Sequence, residues 1–193
     1  ATPGRELPAR DGVGLARKIG LDLALAAMHD AGFAGPLISL DADTRVPPEY
    51  LGAIGGHFRS HPEPWAAVAA YSHPLDGLPE VTRAITDYEL FLRIHELGLE
   101  RAGSPYAYPT IGSTIACTAA AYVTAGGMNR RQAAEDFYFM QALRKGGPVH
   151  RVPEHLHRLR LLGPENRNPP APDGRHLQPG PAQPSHLHSP ASL

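Results

Sequence analysis

Two carboxylates one residue apart, Asp41 and Asp43 in the run Leu40-Asp41-Ala42-Asp43-Thr44, are the sharpest chemical feature of the chain. At the end of a strand that loosens into a turn, both can reach one hard divalent cation or its waters. Two negative groups this close repel each other unless a cation offsets them, which favours a bound Mn2+ or Mg2+. The same residues also suit a plainer task, an Asx-type turn in which Asp43 or Thr44 caps the next helix. A second acidic pair, Glu135-Asp136, follows the Gly126-Gly127 turn and the basic loop Asn129-Arg130-Arg131. One of its carboxylates is placed to serve as a general base toward a hydroxyl, or else both simply meet the positive end of a helix. The third feature is basic. Arg17 and Lys18 fall in the first turn of a helix, where arginine can hold a phosphate bidentately with the helix amides behind it, although a solvated pair is the ordinary alternative. His150, His155 and His157 are a further source of a metal ligand. His176, His186 and His188 lack the spacing of a structural zinc site, and all six are ordinary as surface residues.

These groups need elements to position them. Leu15, Ile19 and Leu23 recur every fourth residue, which predicts an amphipathic helix over Gly14 to His29, stopped by Gly32 and Gly35. Leu37 to Leu40 reads as a buried strand that delivers Asp41 and Asp43 at its carboxyl end. Pro47 and Pro48 suit a first helical turn continued by Tyr50, Leu51, Ile54 and Phe58. Trp65 to Tyr71 reads as a strand, and Val81, Ile85, Tyr88 and Leu92 share one face of a helix running to Gly98. Ile111 to Cys117 has the β-branched content of a strand. A short helix over Thr118 to Ala125 is closed by Gly126-Gly127, another covers Ala134 to Lys145, and Val149 to Val152 is a last strand. The alternation predicts an α/β fold, a mostly parallel sheet flanked by helices, with ligands at the carboxyl ends of its strands.

The 193 residues suffice for one domain with a real core. A net charge of -1 supplies no field for nucleic acid. The longest purely apolar run, Trp65 to Tyr71, is far short of a membrane span. Cys117 stands alone and excludes an internal disulfide, so a reducing, cytoplasmic setting is expected, with membrane association left open for a longer protein. From Gly163 to Leu193 eight prolines and three glycines with little aliphatic periodicity predict a disordered tail, taken as residues 158–193.

The order of the motifs is more specific than any one of them. A Gly-Leu-Ala-Arg-Lys-Ile-Gly helix, a strand into Leu-Asp-Ala-Asp-Thr, then Ile-Gly-Ser-Thr, Ala-Gly-Gly-Met and Glu-Asp-Phe-Tyr resembles the family-2-like glycosyltransferases of the GT-A, Rossmann-like fold. The resemblance covers about Gly12 to Pro153 and implies a partial GT-A domain over residues 12–157. It implies that Arg17 faces the diphosphate of a nucleotide-sugar donor and that Asp41 and Asp43 hold the ribose and the divalent metal. By the same resemblance Asp136, or alternatively Glu135, deprotonates the hydroxyl of an acceptor whose identity the sequence leaves unknown. Gly112-Ser113 and Gly126-Gly127 match the family's acceptor-side turns, where small residues admit the sugar. The implied reaction is an inverting displacement. The family opens with a strand leading into a Pro-x-Tyr/Phe-Asn-Glu type segment, and no such segment precedes Gly12, so the chain is expected to lack the N-terminal nucleotide-binding strands.

Two other readings compete. A haloacid-dehalogenase-type phosphatase would use Asp41 as nucleophile and Asp43 as acid/base. It also wants Thr or Val two residues past the second aspartate, where this chain has Arg45. A truncated, non-catalytic remnant would bind a partner chain or nothing.

Overall fold

The computed structural model describes residues 12–62, 65–75, 77–131, 133–153 and 159–161. In chain order the elements are α1 (Gly12–Asp30), β1 (Pro36–Ile38), β2 (Thr44–Arg45), α2 (Tyr50–Ser60), β3 (Ala66–Val68), β4 (Tyr71–Ser72) and α3 (Pro79–Arg101). A 3-10 turn over Gly112–Thr114 leads into β5 (Ile115–Thr118), followed by α4 (Ala119–Thr124), α5 (Glu135–Gly146), β6 (Val149–Arg151) and β7 (Leu159–Leu161).

The main sheet has the order β1-β5-β3-β6, and a second, smaller one has the order β2-β7-β4. The expected α/β layering is present, but the main sheet is mixed where a mostly parallel one was expected. β5 runs antiparallel to both β1 and β3, and β3 with β6 is the parallel pair of this sheet. β1, β3 and β6 therefore point one way, with β5 reversed between them. A reversed strand can enter here because the polypeptide between β3 and β5 contains the whole of α3, long enough to return along either direction.

Alternate residues of β3 and β5 face opposite layers, as the two-residue pleat requires. Val68, Ile115 and Cys117 pack with Leu21 of α1, Tyr122 of α4 and Phe139, Met140 and Leu143 of α5. Ala67, Ala69 and Ala116 pack on the other side with Tyr50 and Ile54 of α2, Tyr71 of β4 and Leu92 of α3. Each fully buried aromatic or aliphatic side chain contributes about 1.5–3 kcal/mol.

Several expected elements shift. Trp65 to Tyr71 is interrupted at Ala69-Ala70, and Tyr71 joins the second sheet through β7. The first part of Ile111 to Cys117 is the 3-10 turn, because the Thr114 hydroxyl and amide both donate to the Ile111 carbonyl, at 2.8 and 2.9 Å. Pro47 and Pro48 precede α2 rather than opening it, with the Tyr50 amide donating to the Pro47 carbonyl. On α1 the Ile19 and Leu23 stripe faces solvent, and Leu21, Leu25 and Met28 pack inward. Tyr88 of α3 is likewise exposed. The strand β7 falls inside the segment expected to be a tail, while residues 162–193, with His176, His186 and His188, lie outside the described residues.

No helix among the described residues is long and apolar enough to cross a membrane.

Candidate functional site

α1 approaches the rest of the domain through Gly14. A Cβ there would overlap the carbonyl of Arg131 and lie 2.9 Å from that of Asn129, so only glycine lets the helix dock on this loop. A second tie lies further along α1. The Tyr122 hydroxyl donates to Asp22 at 2.7 Å, and Lys18 bridges Asp22 one helical turn away at 3.0 Å. Burial raises the Asp22 carboxyl, but these two partners outweigh it and hold the group below its ordinary value.

So anchored, α1 directs Arg17 inward. Its Nη2 donates to Asp41 Oδ1 at 2.5 Å, and its Nη1 donates to Glu135 Oε1. One guanidinium thus joins the end of β1 to the first turn of α5. The Arg17 and Glu135 side chains are 11% and 5% exposed, while Asp41 retains 34%, so the cluster is dry on the α5 side and open at Asp41. Gly112 makes room for it: a Cβ at that position would overlap the guanidinium. The Arg17 Nε is buried without a hydrogen-bond partner among the described residues.

Asp41 and Asp43 come after β1, separated from its last residue Ile38 by Ser39 and Leu40, which were expected to continue the strand. The turn is closed by the Thr44 amide donating to the Asp41 carbonyl at 3.0 Å, and Asp43 is half-buried within it. Glu135 and Asp136 open α5. Ala134 before them is the described non-glycine residue with positive φ, at 56°, a conformation that costs about 1–2 kcal/mol and turns the chain sharply into the helix. The Asn129 amide donates to the Glu135 carbonyl at 2.7 Å and steadies the same corner. Asp136 is half-buried and accepts from the Phe137 amide at 2.7 Å.

A cleft of about 460 Å3 lies between α1 and the end of β1, lined by Val13, Arg17, Leu21, Ser39, Leu40 and Asp41 among others. That volume is within the range of small-ligand sites. A larger hollow of about 660 Å3 shares only Ile38 with it and contains none of the four carboxylates.

The structure thus brings Arg17, Asp41, Glu135 and Gly112 into one cluster, with Ser113 buried directly beside Gly112. Gly126 and Gly127, at φ of 78° and 76°, close α4, and Gly127 sits near Lys18 rather than at Arg17. His150 lies with His57 and His61, ring centroids 5.8 and 6.0 Å away, and His155 and His157 lie outside the described residues. Among the described residues no three His, Cys, Asp or Glu side chains gather to hold a metal. Sequence reasoning missed Gly14 and Asn129. The glycine that opens the Gly14-Leu15-Ala16-Arg17-Lys18 run, three residues before Arg17, was the available signal for the first. No family model matches the chain, and no curated protein or solved structure matches it either.

Proposed function

We propose that the chain is the catalytic part of an inverting glycosyltransferase that moves a sugar from a nucleotide-sugar donor to an acceptor hydroxyl. The observation that carries this reading is the Arg17 bridge between Asp41 and Glu135, which joins three separately recognised sequence features in one side-chain cluster. In this reading the guanidinium meets the donor diphosphate on its Asp41 side, where the cluster is open. Asp41 and Asp43 are hard oxygen donors at an open rim, and one or two carboxylates completed by phosphate oxygens is an ordinary Mg2+ set, so the residues present fit a divalent ion. That ion, when bound, would offset charge on the leaving diphosphate.

Asp136 then takes the acceptor proton. The acceptor oxygen forms its bond to the anomeric carbon on the face opposite the diphosphate, the bond from that carbon to the diphosphate oxygen breaks, and nucleoside diphosphate leaves. Glu135 suits the base role less well, being buried and tied to Arg17, whereas Asp136 retains access to solvent. The phosphatase reading is supported less, because a nucleophilic Asp41 would attack with an oxygen already drawn toward a guanidinium.

The test is release of nucleoside diphosphate from UDP- and GDP-sugars with Mn2+. The chain should release it, and Asp43→Asn and Asp136→Asn should each slow release roughly a hundredfold or more without lowering the unfolding midpoint. Release unchanged in both variants would overturn the reading.

A further inference from the structure

The outer face of α3 is unlike the rest of the surface. Leu90, Phe91 and Ile94 are 55%, 64% and 60% exposed, with Leu97 beside them at 46%. The helix cannot turn these residues inward, because its opposite face is already fixed at three points. Glu89 holds the His73 imidazole at 2.8 Å, Arg93 donates to the Tyr71 carbonyl at 3.1 Å, and Glu96 pairs with Arg151 at 2.8 Å.

Along that outer face Asp87, Phe91, Ile94, Gly98 and Arg101 follow one another at spacings of four, three, four and three, the heptad seam of two paired helices. The seam carries its own charge code, acidic at the first end and basic at the last. A second copy laid antiparallel, with its Ile94 on a two-fold axis against this Ile94, sets Asp87 of each copy opposite Arg101 of the other. Phe91 then meets Leu97, and Leu90 meets Gly98, whose lack of a side chain leaves room for it. A parallel copy would instead oppose Asp87 to Asp87 and Arg101 to Arg101, which is repulsive.

We propose that two copies of this chain associate through α3, antiparallel about Ile94, in an isologous interface. A seam of this length buries less than the roughly 800 Å2 per partner of a standard interface, so the pair is weak and depends on concentration.

Sedimentation velocity over a hundredfold range of concentration tests this. The chain should shift from monomer to dimer, and Ile94→Glu, which sets two carboxylates on the axis, should stay monomeric with an unchanged circular dichroism spectrum. Asp87→Arg should weaken the dimer about tenfold by facing arginine with arginine, and Asp87→Arg combined with Arg101→Asp should restore it. A chain that is monomeric throughout, a dimer that survives Ile94→Glu, or a double exchange that fails to restore association would each overturn the proposal. Loss of lipid-vesicle or other-partner binding in Ile94→Glu with no dimer in the parent would do so as well, assigning the face to another occupant.

Discussion

Replacing Arg17 by methionine isolates the bridge that organises the site. Methionine keeps most of the apolar stem, so the variant loses charge and hydrogen bonds with little loss of packing. Glu135 is 5% exposed and would be left as a buried carboxylate without its cation, a defect that costs about 3–5 kcal/mol. The Asp41 arm, a third exposed, is screened by solvent and adds at most about 1 kcal/mol. In a chain of 193 residues this lowers the melting temperature by roughly 6–24 °C, at about 2–4 °C per kcal/mol. A thermal melt measures the shift and a urea titration the free energy, both followed by far-UV circular dichroism. Combining Arg17→Met with Glu135→Leu removes both buried charges and should return stability to within about 1 kcal/mol of the parent, because a buried pair and its apolar replacement are nearly equivalent. If Arg17→Met unfolds within about 0.5 kcal/mol of the parent, the bridge does not hold β1 to α5 and the site is wrongly built.

Gly112→Ala pushes a methyl into the Arg17 guanidinium and should cost about 1–3 kcal/mol in urea while weakening nucleoside diphosphate binding in a titration. Gly14→Ala meets two backbone carbonyls that cannot rotate away, so thermal melts should show a loss of about 2 kcal/mol or more. Burial pushes the Cys117 thiol from its ordinary 9.0 up to about 12. Because the folded value is raised, the stabilisation it brings is full below pH 9 and is lost as pH rises toward 12. Urea midpoints should therefore fall more steeply above pH 9 in the parent than in Cys117→Ala.

The helices were the most legible part of the fold. α4 and α5 end at Gly126-Gly127 and Gly146-Gly147, and Thr118 caps α4 by accepting from the Ala121 amide at 3.1 Å. Strand direction was not legible, since β1, β3 and β6 have three residues each and β5 four, and an apolar run that short carries no mark of parallel or antiparallel pairing. α1 offered two apolar stripes. Close approach at Gly14 selected the one with Leu21 over the one with Ile19 and Leu23, and periodicity cannot see such a contact. At the site Arg17, Asp41 and Glu135 were each readable from local chemistry. Their union was not, because 24 and 118 residues separate the partners of the bridge and only the fold closes that distance.

Calorimetric titration with UDP and with GDP, each with and without Mn2+, reaches the central claim most directly. The account predicts metal-dependent binding of one of them by the folded chain, abolished in Asp43→Asn. Absence of any binding by a chain whose circular dichroism shows it folded, or binding unaffected by Asp43→Asn, would contradict it.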